Sequence, residues 1–380
     1  MSRINPQQEH IQQSVILTRG LSQRAPSGAP LLCVATMPVV LRSLLTAKRA
    51  GATKFLVVLD ADTGADVRRA LERSGRLPAG VEWLALPDGQ GSLTAALGEI
   101  AERADDQFLL LPGEATFHAS LLSQINSPDG DSAMALMVSE RPTGIYRFSR
   151  FAARAVASQA PPLQSVEELN AWLNQVNLVK HKAVDEAYWQ PIAQAADLPT
   201  AERKLDRWLY KETDGIWARL NRHISIPISR VLVRLRMTPN MVTLFTLLVS
   251  FVSGTFFAFG GYVNAVIGAL LSHWASVLDG SDGEVARLTF QESDFGCWLE
   301  TMCDSLYYVF VLGGMVMGLY RTSGGLIYLV AGGLLAFGSL MSIITTAYQR
   351  RRVAPQQPEK YLAKWGKQMD THPENLFLRF

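Results

Sequence analysis

Over the first 150 residues, short continuous apolar runs alternate with stretches whose apolar residues recur at helical spacing. The runs are LLCVATM (31–37), KFLVVLDA (54–61), VEWLALP (81–87), QFLLLP (107–112) and AMALMVS (133–139). Between them lie segments such as VVLRSLLTAKRAGA and SLTAALGEIAERA, with apolar positions three and four apart. Continuously apolar strands separated by helices predict βαβ units and a mostly parallel sheet covered on both faces. After about residue 150 the pattern turns helical, through SVEELNAWLNQVNLV and AERKLDRWLYKE. Residues 214–236, DGIWARLNRHISIPISRVLVRLR, alternate bulky apolar residues with Arg and His, as a helix lying along a membrane surface would. An ordinary connector helix is the plainer alternative.

From residue 240 the pattern changes again. Four membrane-length apolar segments follow, at about 241–259, 262–282, 297–320 and 326–348. Each is near the ~20 residues needed to cross a bilayer. Arg230, Arg234 and Arg236 precede the first, Arg287 lies between the second and third, and Arg350, Arg351 and Arg352 follow the fourth; the opposite loops offer only Arg321. The positive-inside rule therefore predicts a multi-pass protein of the inner (cytoplasmic) membrane, with its N-terminal domain, its 283–296 loop and its tail on the cytoplasmic side. The opening MSRINPQQEHIQQS is polar and lacks the apolar core of a signal peptide, in keeping with that orientation. The expected organisation is a polar segment (1–30), a cytosolic α/β domain (31–200), a linker with an interfacial helix (201–238), an all-α transmembrane domain (239–350) and a tail (351–380).

Composition adds limits. At 380 residues the chain has room for two domains, and a formal net charge of +2 makes no case for nucleic acid. Cys33, Cys297 and Cys303 show neither disulfide nor zinc spacing and read as reduced structural residues. His118, His181 and His223 share no metal spacing and read as surface or packing residues. Gly89-Gln90-Gly91-Ser92 suits a phosphate contact or, equally, a plain strand-to-helix turn. Phe256, Phe257 and Phe259 are expected to face lipid or a neighbouring helix, and Trp274 and Trp298 to pack beneath the acidic motif beside them, with contact to substrate as the alternative.

That motif carries the chemistry. LDGSDGEVARLTFQESDFGCWLETMCD (278–304) sets Asp279, Asp282, Glu300 and Asp304 beside two apolar segments. Asp279 and Asp282 are three apart and Glu300 and Asp304 four apart, so on helices each pair shares a face. Four carboxylates brought together repel unless cations compensate them, and hard Mg²⁺ or Mn²⁺ ions prefer such oxygen donors; two could be held. Gly283 leaves room for a ligand against the backbone, and Arg287 is placed one turn on to meet phosphate. A membrane cation transporter would want its acids near mid-bilayer, whereas these sit at one edge.

Asp279, Asp282, Gly283, Ala286, Arg287, Gly296, Glu300 and Asp304 fall at the spacings D-x2-D-G-x2-A-R-x8-G-x3-D-x3-D, and in this the segment resembles the CDP-alcohol phosphotransferase family. T-P-N-x-V-T, Thr238 to Thr243, resembles that family's entry to its first span. The resemblance covers roughly 214–350. It implies an integral-membrane enzyme, expected as a homodimer, that moves a phosphoalcohol from a CDP-alcohol donor to a small alcohol or phospho-alcohol acceptor and releases CMP. It implies that Asp279, Asp282, Glu300 and Asp304 hold two metal ions, with Asp304 also the general base. It also implies that Gly283, Ala286 and Gly296 border the cytidine, and that Arg287 and Asn240 lie near the phosphates. The chain departs from the pattern twice. Glu300 stands where the family has Asp, and four spans are legible where the family usually has six, which reads as a chain cut short after PEKYLAKWGKQMDTHPENLFLRF.

PVVLRSLLTAKRAGATKFLVV, GQGSLTAALGEIA and LLLPGEATFHASLL resemble pieces of the sugar-phosphate nucleotidyltransferase fold. Joined to this membrane domain, they resemble the layout of bifunctional enzymes that make and then use CDP-inositol. That fold opens on a Gly-rich phosphate loop, whereas LLCVATM runs straight into PVVLRSLL, and Glu114 stands where a metal-binding Asp is expected. A degenerate soluble domain with a structural or regulatory role is therefore expected. The competing overall reading is a catalytically impaired relative that binds nucleotide or metal.

Overall fold

The computed structural model describes residues 12–18, 29–60, 62–86, 92–125, 131–210 and 216–353. The chain divides into two compact units, Met1–Trp208 and Leu209–Phe380.

The first unit is built on β1 (Gln13–Leu17), β2 (Cys33–Val34), β3 (Met37–Pro38), α1 (Val39–Arg49), β4 (Lys54–Leu59), α2 (Gly64–Arg73), β5 (Val81–Ala85), α3 (Leu93–Arg103) and β6 (Gln107–Pro112). It continues through β7 (Ala115–Phe117), α4 (Ala119–Gln124), β8 (Ala133–Val138), β9 (Arg141–Ser149), α5 (Arg150–Gln159), α6 (Val166–Gln175), β10 (Val179–Ala183), β11 (Trp189–Pro191) and α7 (Leu198–Leu209). Seven strands form one sheet in the order β10-β8-β9-β6-β1-β4-β5. Pairing is parallel for β1 with β4 and β6, β4 with β5, and β10 with β8; β9 alone runs against its neighbours. The central strands β1, β4 and β6 are buried almost end to end, as a sheet covered on both faces requires. The outermost β10, VKHKA, is half-exposed and carries two lysines, which suit an edge. Ser92, Ser149 and Ser165 cap α3, α5 and α6 by accepting from Ala95, Ala152 and Glu168 N–H.

The mostly parallel α/β expectation holds, but its first strand does not. The run at 31–37 forms a single helical turn at Ala29–Leu31 and the two-residue strands β2 and β3, folded back on each other at Ala35 and Thr36, whose φ values are 48° and 63°. The first strand is β1, inside the segment read as polar. QSVIL escapes notice because it is five residues long between polar flanks. LLCVATM-PVVLRSLL is therefore not the junction that follows the first strand, where a phosphate loop is expected. The stretch after β1, residues 19–28, lies outside the described residues, as do Gly89 and Gly91. Strands β9 and β10 were also missed, the latter in a stretch read as helical.

The second unit consists of α8 (Ile216–Arg234), α9 (Pro239–Phe259), α10 (Tyr262–Thr289), α11 (Asp294–Ser323) and α12 (Leu326–Val353). Thr238 caps α9 by accepting from Met241 N–H, with Pro239 at the first helical position. Gly260 and Gly261, both at positive φ, make the whole turn into α10. Among the described residues three helices are long and apolar enough to cross a membrane: α9, α11 and the Leu326–Thr345 part of α12. The second of the four spans expected from sequence is not among them. Asn264, Ser272, His273, Asp279 and Asp282 dilute α10, and Asn264 Nδ2 donates to Gly260 O at 2.8 Å. Ser253 Oγ donates to Gly268 O at 2.7 Å, and Ser272 shares a 2.7 Å hydrogen bond with Tyr307.

Helices α9 and α11 touch backbone to backbone. A Cβ placed on Gly314 would sit 2.1 Å from Gly254 O, and one on Gly318 would sit 2.0 Å from Phe257 O. Small residues permit this approach, and it supplies the dispersion contacts that apolar surroundings otherwise cannot favour. A Cβ on Gly313, one residue away, would meet nothing within 4 Å. Gly318→Ala is therefore expected to destabilise the protein by about 1–3 kcal/mol, while Gly313→Ala leaves it unchanged. Thermal denaturation in detergent, with the two variants side by side, checks this; equal midpoints would refute the close packing.

Candidate functional site

The four motif acids lie on the C-terminal part of α10 and the N-terminal part of α11, helices joined by residues 290–293. Phe290 ends α10 in the left-handed region at φ 53°, its N–H bonded to Ala286 O, and Ser293 caps α11 by accepting from Gly296 N–H at 3.0 Å. This tight reversal brings the two acid pairs together. Asp279 lies within the electrostatic reach of Asp304, Asp282 and Glu300, and its carboxyl hydrogen-bonds that of Asp304.

The four differ in exposure. Asp282 is buried at 4%, Asp279 is half-buried, and Glu300 and Asp304 are exposed. The cluster thus has a fixed inner wall on α10 and an open side on α11. Asp282 is held on both oxygens: Thr243 Oγ1 donates to Oδ2 at 2.6 Å, and Gly283 N–H donates to Oδ1 at 2.5 Å. A carboxylate this buried needs such donors, since its lost hydration costs several kcal/mol. Thr243 belongs to the quoted T-P-N-x-V-T but was not assigned a role from sequence. Its signal was available: a hydroxyl one turn into the helix that leads to the acidic motif.

The other expected site residues gather here too. Arg287 exerts its charge on Asp282 and lies against Gly283, whose added Cβ would stand 3.4 Å from Arg287 Nη1. A Cβ on Gly296 would stand 3.3 Å from Asn240 Oδ1, so the start of α9 adjoins the start of α11. Ala286 sits half-buried on the last turn of α10. Trp274 and Trp298 do not pack beneath the motif. They are 50% and 56% exposed, and Trp298 meets only the ring of Phe295 at 5.9 Å among described ring contacts; amphipathic rings suit an interfacial level.

The donor chemistry fits a hard divalent ion, since four carboxylates converge in charge with no lysine among them. Among the described residues, however, no three His, Cys, Asp or Glu side chains stand in the geometry of a metal site. The three histidines are separate. His118 lies between the rings of Tyr188 and Trp208, each at 5.6 Å, with burial lowering its pKa; His181 bonds Asn170 and His223 bonds Arg219 O. In the first unit, Glu114 is buried beside Gly113, whose added Cβ would meet Leu17 O at 2.6 Å. It therefore sits at the carboxyl end of the central strand, where chain connections leave in opposite directions.

Residues 236–369 match the family model described as CDP-alcohol phosphatidyltransferase. Among curated relatives the chain is similar to two proteins named "Bifunctional IPC transferase and DIPP synthase". It is 34% identical over 134 residues to that of Aquifex aeolicus, covering 35% of this chain and 30% of the relative. It is 29% identical over 185 residues to that of Archaeoglobus fulgidus, covering 48% and 33%. The chain thus spans about a third of the length of the curated relatives it matches. A solved structure titled as the inositol-1-phosphate CTP transferase from T. maritima is similar over 51% of this chain and 95% of that one, at 14% identity and a TM-score of 0.43.

Thr243→Val keeps the shape of the side chain and removes the donor to a buried carboxylate. It is expected to cost about 1.5–3 kcal/mol, whereas Thr243→Ser retains stability. Thermal denaturation of both variants checks this, and a valine variant as stable as the parent would show that the hydrogen bond contributes nothing.

Proposed function

We propose that the protein is a membrane phosphotransferase that moves a phosphoalcohol group from a CDP-alcohol to an acceptor hydroxyl with release of CMP. The carrying observation is the assembly of Asp279, Asp282, Glu300 and Asp304 with Asn240, Gly283, Arg287 and Gly296 at one end of α9, α10 and α11, within the segment that matches the family model. Gly283 and Gly296 keep the backbone bare beside Arg287 and Asn240, so these two side chains can lie close to a bound nucleotide. Arg287 is placed to hold the diphosphate, which fixes the donor for in-line attack. Exposed Asp304 is the carboxylate best placed to take the acceptor's proton. Asp279, Asp282, Glu300 and Asp304 would hold two Mg²⁺ or Mn²⁺ ions, which when bound neutralise the diphosphate and stabilise the departing CMP.

In this reading the chain is a homodimer in the cytoplasmic membrane, with the site on the cytoplasmic side beside Arg230, Arg234 and Arg236. The names of the bifunctional relatives favour inositol-phosphate chemistry for the substrate pair, by analogy. The soluble unit then has a structural or regulatory role.

Purified full-length protein with Mg²⁺ or Mn²⁺, a panel of CDP-alcohols including CDP-inositol and CDP-diacylglycerol, and a panel of alcohol acceptors tests this by CMP release. Turnover is expected, with Asp304→Asn slowing it by about 10²–10⁴-fold. Asp304→Asn at the parental rate removes the general base. Absence of CMP across the panels supports the catalytically impaired reading.

A further inference from the structure

Besides the four clustered acids, the acidic stretch carries Glu284, two positions after Asp282. At roughly 100° per residue the two side chains leave α10 about 200° apart, so Glu284 points away from the cluster formed by the other four. It is fully buried at 0% exposure. Arg222 Nη1 donates to its Oε1 at 2.9 Å and Ser225 Oγ donates to the same oxygen at 2.7 Å, while Ser229 Oγ donates to Oε2 at 2.6 Å. All three donors come from α8. Ser229 Oγ also lies 3.4 Å from Ser281 O on α10.

Residues 222, 225 and 229 share one face of α8, with Ile226, Leu232 and Val233 buried alongside them. The opposite stripe, Leu220, Ile224 and Val231, is exposed. The helix therefore turns its polar anchor inward and an apolar stripe outward. A connector would not need three donors matched to one carboxylate, and surface charge complementarity would not be buried. Both oxygens of Glu284 are occupied by α8, so it is not available to the acidic cluster.

We propose that Glu284 is a positioning residue: its clamp to Arg222, Ser225 and Ser229 fixes the rotation of α10 about its own axis and so the placement of Asp279, Asp282 and Arg287. The role in turnover rests on the CDP-alcohol reading above; the clamp itself does not. Any roll of α10 swings the carboxylates on its far side in the opposite sense, and phosphoryl transfer is sensitive to about 1 Å of misplacement.

The test uses the full chain in detergent with Glu284→Gln, Arg222→Ala, the conservative Arg222→Lys, and Arg219→Ala as a control that removes an exposed charge from the same helix. Two quantities are read on folded, monodisperse protein: kcat and KM for CMP release, and amide hydrogen exchange along α8. The expected result is a fall in kcat of about 10–100-fold for Glu284→Gln and Arg222→Ala, a donor KM within about threefold of the parent, and faster exchange in α8. Arg222→Lys should restore most of kcat, and Arg219→Ala should change neither quantity. Faster exchange with unchanged kcat reduces Glu284 to a purely structural role and overturns the positioning claim. Unchanged exchange overturns the clamp. If the parent protein releases no CMP, the functional reading fails and the positioning role falls with it, while the exchange data still decide whether the clamp exists.

Discussion

The packing of α9 against α10 depends on one expensive act, the burial of the Asp282 carboxylate near the end of a helix with apolar neighbours. An ion in that position is tolerated only where fixed dipoles replace its water. Thr243 and the Gly283 N–H do so on its two oxygens. The requirement reaches beyond the site: α9 must approach α10 closely enough for a short side chain to span the gap. Thr246, Ser250 and Ser253 are buried along with Thr243, so the helix is held by small hydroxyl residues.

The same closeness dictates what α9 does on its other side. Large residues would hold α11 away, and the site needs Glu300 and Asp304 near Asp279. Gly254, Gly314 and Gly318 remove the obstacle by letting the backbones touch. The acids and the glycines therefore serve one geometry, although on α11 they lie in opposite halves of the helix. α12 meets α11 at Gly332, where an added Cβ would stand 2.7 Å from Val316 Cγ1, but its apolar stretch otherwise remains outside the packed interior.

How legible this was depended on the length scale of the signal. The acidic cluster could be read because its partners sit three and four residues apart on helices joined by a short reversal, so local periodicity already implied proximity. The α/β layering was legible for a related reason: continuous apolar runs such as KFLVVL and QFLLLP identify strands buried on both faces. β1 was not legible, because five residues in a polar stretch carry almost no periodicity and owe their burial to β4 and β6, distant in sequence. Thr243 and Glu284 belong to the same class. Each acts through a partner tens of residues away, and an acid inside an acidic motif reads as one more ligand until the helix direction shows that it faces elsewhere. The outward turn of Trp274 and Trp298 was hidden likewise, since adjacency in sequence does not fix which side of a helix is covered.

The replacement of Asp by Glu at position 300 acquires a different weight once burial is known. An added methylene at position 282 would push a carboxylate through Thr243 and Gly283, where both oxygens are already committed. Position 300 has no such enclosure: it is exposed, on the open side of the cluster, so a longer side chain meets no buried wall there. A rigid octahedral ion is strict about where oxygen stands but indifferent to the length of chain behind it. The departure from the usual pattern therefore falls at a position where side-chain freedom can absorb it, while the acid that cannot move is the aspartate expected there.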